Sequence, residues 1–288
     1  MMQLEGHLSI EEICQAVPVS RAGYYRHFDQ QAPEQAAVVL RDAIQKIALQ
    51  YRCYGYRRVT AELRQQGVVV NGKRVLRVMR EDNLLSLRKR KFMVTTDSRH
   101  GWWAYPNLTA GLQLTNVNQL WVADITYIRL QDEFIFLAVL LDAFSRRVVG
   151  WELGESLQAS LPLRALHRAL AHRSVPAGIV HHSDQGVQYA CSDYVEYLLT
   201  QGFRVSMSRK AAPWENAKAE SFLKTLKAEE VWLKHYRDIQ DARASIGHFL
   251  DDVYNQQRLH SALGYRSPAG FEADHDQRTA TDASRPAD

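Results

Sequence analysis

The chain has 288 residues, 46% of them hydrophobic, 24% charged and with a formal net charge of +4, which is enough to bury more than one core and predicts two or three domains. Cys14, Cys53 and Cys191 form no C-x-x-C pair, so neither a zinc knuckle nor a disulfide framework is indicated. No apolar run approaches the ~20 residues that span a bilayer, and the start M-M-Q-L-E-G-H lacks a signal-peptide layout; a cytoplasmic protein with no membrane partner is expected.

Residues 1–50 are predicted to be a helical segment. Ser9 and Glu12 fit a capping box opening a helix with Ile10, Ile13 and Val17 on its apolar side, and A-G-Y-Y-R-H-F follows Ser20. Two readings stay open here, a helix-turn-helix or a small helical pair packed by Tyr24, Tyr25 and Phe28. Four basic and six acidic groups give the segment no electrostatic bias.

Residues 51–99 carry thirteen Lys and Arg against four Asp and Glu, a local excess of nine positive charges, while the rest of the chain nets −5. A basic block of this kind on a folded segment is an electrostatic footprint for a polyanion, nucleic acid first. Its pattern is that of a helix-turn-helix. Tyr56, Val59 and Leu63 recur on one helical face, Gly67 ends the helix, and Asn71 is placed to cap the next one. That second helix buries Val75, Val78 and Met79 and exposes Lys73, Arg74, Arg77 and Arg80, a stripe suited to a DNA groove. Arg88, Lys89, Arg90 and Lys91 follow and would meet phosphates. Residues 100–112 are predicted to be a linker, with Trp102, Trp103 and Tyr105 packing onto a domain rather than stacking on bases.

From 113 to 232 the order becomes strand-like runs at 119–130, 134–142 and 147–154, a helix near 160–172, a strand before Asp184, a helix at 192–201, the short strand R-V-S-M-S and a final helix. This βββαβαβα order implies an α/β fold, a mixed sheet with helices on its faces. Residues 233–272 are predicted as a helical extension and 273–288, polar and apolar-poor, as a disordered tail.

Three acidic residues within 113–232 are hard to explain structurally. Asp124 interrupts the apolar run W-V-A-D-I-T-Y-I, sharing a strand face with Val122, Thr126 and Ile128. A carboxylate there must be hydrogen-bonded, paired or metal-bound. Asp184 ends G-I-V-H-H-S-D ahead of a Gln185-Gly186 turn, at the carboxyl end of a strand where open α/β sheets hold ligands. Glu220 shares one helix face with Asn216, Lys224 and Lys227. Hard oxygen donors of this kind suit Mg²⁺. Asp142 is read as a turn-former rather than a fourth carboxylate, and His181 and His182, on opposite strand faces, cannot both face one metal, although one can approach substrate.

Thirty-five residues separate Asp184 from Glu220. With that spacing, the ordered strings W-V-A-D-I-T-Y-I, L-D-A-F-S-R-R-V-V-G-W, H-S-D-Q-G-V-Q-Y, E-N-A-K-A-E-S-F-L-K-T-L-K and Y-N-Q-Q-R-L-H-S-A-L-G-Y-R-S-P resemble the second-frame transposase of the insertion-sequence-three family, within the retroviral-integrase-like DDE superfamily. The resemblance runs from about Tyr51 to Phe271. It implies a ribonuclease-H-like core at 113–232, with Asp124, Asp184 and Glu220 as catalytic ligands of two Mg²⁺ ions, or Mn²⁺ in their place. It implies cleavage and strand transfer on double-stranded DNA, Lys224 and Lys227 along the DNA end, homo-oligomers on DNA, a possible upstream-frame partner product and a nucleoid-associated location. The alternatives are a catalytically silent DNA-binding regulator and a ribonuclease-H-like nuclease without strand transfer.

Overall fold

The computed structural model describes Ser20 and residues 35–85, 105–131, 133–209 and 212–283. The proposed capping box at Ser9, the run Arg88–Lys91, Trp102 and Trp103 lie outside the described residues.

Among the described residues three helices come first: α1 (Gln35–Gln50), α2 (Tyr56–Gln65) and α3 (Gly72–Glu81). They bury a single core in which Leu40, Ile44 and Ile47 of α1 meet Val59 and Leu63 of α2 and Val75 and Met79 of α3. The core of the basic unit, expected to start at Tyr51, thus takes in α1 as well. The turn between α2 and α3 follows the expected chemistry. Gly67 takes a left-handed φ of 82°, and the Asn71 side chain caps α3 by accepting from the Lys73 N–H at 2.8 Å. Salt bridges from Arg41 to Glu81 and Asp82 tie α1 to the end of α3.

The following sheet is built from β1 (Leu120–Arg129), β2 (Phe134–Asp142) and β3 (Val148–Gly154), an antiparallel meander, then β4 (Val180–Ser183) and β5 (Arg204–Met207), which add in parallel. Strand order is β3-β2-β1-β4-β5, so β1 is central. Its alternation divides two cores. Val122 and Ile128 pack under α7 (Ala217–Glu229), α8 (Ile239–His248) and the π-helical turns Phe249–Gln257 that continue α8. Trp121 and Ala123 pack on the other face under α4 (Ser160–His172) and α6 (Ser192–Thr200), with the short α5 (Val187–Ala190) between them in sequence. A mixed five-stranded sheet with helices on both faces in this order is a ribonuclease-H-like α/β fold. Tyr105 packs against the second core, as the linker reading expects.

The sheet's β3 edge is closed by side chains. Asn255 accepts from the Val148 N–H at 2.9 Å and donates to its carbonyl at 3.0 Å, standing where another strand would pair. The last helix, α9 (Pro268–Ala283), corrects the expected disorder after residue 272: residues 273–283 are helical. Composition misses this because the anchor is polar. Buried Glu272 accepts from Ser145 Oγ at 2.6 Å and pairs with Arg147 at 2.7 Å and Arg173 at 2.5 Å. Phe271 stacks edge-on against Phe144.

Strand β3 and helix α4 approach so closely that a Cβ at Gly150 would stand 2.4 Å from the Ala165 carbonyl oxygen and 2.8 Å from Ala169 Cβ. Gly150→Ala is therefore expected to destabilise the fold by about 1–3 kcal/mol, the usual cost of overpacking, read as a lower midpoint in urea at unchanged slope.

Candidate active site

Asp124 lies at the middle of the central strand, paired in register with Val139 of β2. Its Oδ1 accepts from the Ile125 N–H at 2.8 Å, a contact that favours the charged form. That contact does not prevail. Burial first, and then the Asp184 carboxylate with a smaller push from Glu220, raise the Asp124 carboxyl to about 8. The three acidic residues named from sequence thus share one electrostatic neighbourhood. Asp184 follows the last residue of β4 and accepts from the Gly186 N–H at 2.9 Å, in the turn expected there. Glu220, in the first turn of α7, is half-buried and bonded to the exposed Lys224 ammonium at 3.3 Å.

Two polar groups beside the carboxylates are buried and lack a partner among the described residues. Asn216 donates through Nδ2 to the Ala123 carbonyl at 3.0 Å, fastening the start of α7 to β1, and leaves Oδ1 unpartnered. Tyr189 is buried with its hydroxyl unpartnered, and the charges of Asp124 and Asp184 help to raise its phenol well above the ordinary value, after burial and Tyr194. Sequence reading named Asn216 only as a member of a helix face and passed over Tyr189. Their signal was position: four residues before Glu220, and five after Asp184.

Lys227, expected on the Glu220 face of the helix, packs against the sheet. Its ammonium lies 4.7 Å over the Tyr127 ring on β1. Burial lowers its pKa and the Asp124 carboxylate opposes that. The ammonium therefore feels Asp124 directly.

Asp142 has no place among these groups. Fully buried, it accepts from the N–H groups of Asn118 at 2.6 Å and of Phe144 and Ser145 at 2.9 Å, knotting the β2–β3 turn as the sequence suggested. The expectation that one of the two strand histidines approaches substrate is corrected: both are buried. His181 bonds Tyr194 at 2.9 Å and His182 bonds Ser206 at 2.8 Å, and burial holds them neutral, down to about 3 and about 4.

Donor chemistry fits a hard divalent cation. Carboxylates that raise one another's hold on a proton, with a buried amide oxygen unpartnered among the described residues, form a set of hard oxygen donors. Among the described residues, no three His, Cys, Asp or Glu side chains already converge at metal-ligand spacing.

On the N-terminal unit, Lys73, Arg74, Arg77 and Arg80 are all exposed on α3, while Val75 and Met79 are buried and Val78 packs against the same core. No carboxylate among the described residues pairs with those four cations.

Comparison with known proteins places these features. Residues 35–92 match a family described as an HTH-like domain, and residues 115–213 and 201–268 match two described as integrase core domains. The insertion element IS600 uncharacterized 31 kDa protein of Shigella sonnei is 38% identical over 274 residues, covering 93% of this chain and 100% of that one. Transposase InsF for insertion sequence IS3A of Escherichia coli strain K12 is 32% identical, covering 93% and 95%. The chain belongs to the IS3-family transposases. Among solved structures, the HTLV-2 integrase catalytic core domain in complex with magnesium matches with a TM-score of 0.42 at 15% identity, over 55% of this chain and 97% of that one. No described helix is long and apolar enough to cross a membrane.

The raised Asp124 pKa has a sign that can be tested. A group that holds its proton more tightly folded than unfolded costs nothing below about pH 4 and progressively destabilises the fold as pH rises toward 8. In metal-free buffer Asp124→Asn is expected to match the parent near pH 4 and to exceed it by on the order of 1–2 kcal/mol at pH 8. Urea unfolding across that range measures it; a difference that does not change with pH contradicts the assignment.

Proposed function

We propose that this transposase cleaves and joins DNA through metal-assisted phosphoryl transfer at Asp124, Asp184 and Glu220. The observation that carries the reading is the gathering of these carboxylates on and beside a central strand, where burial first and then the charges of Asp184 and Glu220 raise the Asp124 carboxyl to about 8. Mg²⁺, with Mn²⁺ as a substitute, would supply activation of the attacking oxygen and stabilisation of the leaving oxygen, in the manner of two-metal sites. Asp124 would hold the cations from the middle of β1, Asp184 from the end of β4 and Glu220 from the first turn of α7. Asn216, pinned to β1, would fix where that turn sits. Lys227, packed on Tyr127, would offset part of the charge on Asp124 and hold a neighbouring phosphate of the reacting end. The α3 stripe of Lys73, Arg74, Arg77 and Arg80 would enter a groove of double-stranded DNA, with Arg88, Lys89, Arg90 and Lys91 and Lys224 meeting phosphates. Joining both ends of an element requires more than one copy on DNA, so a homo-oligomer belongs to the proposal.

Cleavage of a labelled terminal-repeat duplex in Mg²⁺ tests the chemistry. Glu220→Gln is expected to abolish cleavage and strand transfer while duplex binding and the unfolding midpoint stay near the parent's. Mg²⁺ is further expected to raise the melting temperature of the parent at pH 8 and not that of Glu220→Gln. Cleavage by the variant at near the parent's rate would sink the assignment.

The α3 stripe is tested separately from the chemistry. Replacing Lys73, Arg77 and Arg80 by alanine is expected to lower the slope of log affinity against log salt by about 0.9 per lost phosphate contact, or to cost roughly 1–3 kcal/mol of discrimination per lost bidentate base contact. Binding of terminal-repeat and random duplexes across a salt series reads both. Unchanged affinity and unchanged discrimination rule the stripe out.

A further inference from the structure

On the flank of α7 away from Glu220 lies a part-enclosed cavity of about 190 Å³. Lys218, Ser221 and Thr225 line it from α7; at 3.6 residues per turn these positions point away from the face that carries Glu220, Lys224 and Lys227. The cavity is therefore distinct from the acidic site. Three separate parts of the chain close it: Arg58 from α2 of the N-terminal unit, Arg146 from the β2–β3 turn, and Arg258, His260 and Ser261 from the C-terminal extension.

Its chemistry is one-sided. Arg258 is buried and clamped from outside the lining by Glu229 through two bonds of 2.7 Å, and the one carboxylate among the described lining residues, Asp142, has its oxygens occupied by backbone N–H groups and Arg173. Arg58 and Arg146 pair with no carboxylate among the described residues, and Lys218 bonds only the Ala143 carbonyl, at 2.8 Å. Burial first, and then the charges of Arg258, Arg146 and Arg58, lower the His260 pKa and hold the imidazole neutral. The backbone adds a second observation. Arg146 sits at a left-handed φ of 63°, a conformation that glycine or asparagine adopts at lower cost. Arginine at this turn sets its guanidinium on the cavity wall in spite of that cost.

We propose that this cavity is a phosphate-binding site, and that its occupant is a backbone phosphate of DNA gripped jointly by the N-terminal unit, the sheet and the C-terminal extension. The DNA part rests on the transposase reading; the phosphate part stands on the cavity alone. A single water needs about 10–15 Å³ on this measure, so a phosphate group fits with water to spare. Guanidinium groups from two elements match phosphate oxygens in geometry, and the hydroxyls of Ser221, Thr225 and Ser261 supply neutral donors at the rim. Such a contact would fix the angle between the groove-binding helix and the catalytic sheet on one DNA molecule.

The test uses the full chain and the double variant Arg58→Gln, Arg146→Gly. Glycine relieves the left-handed turn, so the second change is expected to leave folding intact, which the melting temperature checks. Binding of a terminal-repeat duplex is measured in EDTA over a potassium chloride series, where metal chemistry plays no part. The slope of log affinity against log salt is expected to fall by about 0.9 in the variant for one lost phosphate contact, with affinity down several-fold. In a second arm, melting temperatures are compared in inorganic phosphate and in chloride at matched ionic strength. A reduced slope supports the DNA phosphate, whether or not inorganic phosphate also stabilises the parent. Stabilisation by phosphate that the variant loses, with an unchanged slope, overturns DNA as occupant in favour of a free phosphate-bearing solute. No change in either arm overturns the site. If the parent itself failed to bind the duplex, the transposase reading would fall, and the inorganic phosphate arm alone would decide the cavity.

Discussion

Charge held on the central strand is the constraint that organises this molecule. Asp124 stands where the sheet otherwise carries Val122 and Ile128, and two further carboxylates crowd it. Everything around it limits that penalty without removing it. The Ile125 N–H supports the charge from the backbone, Lys227 leans in over Tyr127, and Asn216 anchors α7 so that Glu220 is delivered to the same place. A sheet built for stability alone would place valine there. The fold instead keeps an ionisable group on a strand whose two faces are both packed.

Peripheral elements serve that rigidity. The meander leaves an edge at β3, and Asn255 satisfies it with one side-chain amide. Glu272 gathers Ser145, Arg147 and Arg173 and thereby joins α9, the β2–β3 turn and the end of α4. Asp142 knots the same turn from beneath. Buried ion pairs of this sort add little net stability over apolar packing, but they admit few alternative arrangements. Arg146 holds its left-handed conformation inside this polar frame.

Much of this was legible in the sequence where the signal is periodic or categorical. Alternation in W-V-A-D-I-T-Y-I locates β1 and marks Asp124 as an intruder; Gly67 and Asn71 punctuate the turn between α2 and α3 because only their local chemistry fits there. The acidic residues stand out for the same reason, each a charge in an apolar or strand-end context. What escaped depends on contacts between distant segments. The helicity of 273–283 rests on Glu272 meeting arginines about a hundred residues away, which composition reads as disorder. The contact of Lys227 with an aromatic ring on β1 is of the same kind, and helical spacing along α7 carries no record of it. The cavity of Arg58, Arg146, Lys218 and Arg258 draws on four stretches of chain, none unusual alone. The start of the N-terminal unit was missed at Tyr51 because the basic run hid that α1, nearly neutral, supplies a third of its core.

Leu259 completes that same core. It is buried among α1, α2 and α3, and its N–H donates to the Tyr54 hydroxyl at 2.9 Å across 205 residues of chain. A leucine so buried contributes about 1.5–3 kcal/mol, a large share of what a small three-helix unit has in hand. The three helices therefore reach their final packing only with a segment some two hundred residues further along the chain. Any fragment that stops short of Leu259 would carry α1, α2 and α3 around a core missing one of its buried residues and would hold them less firmly.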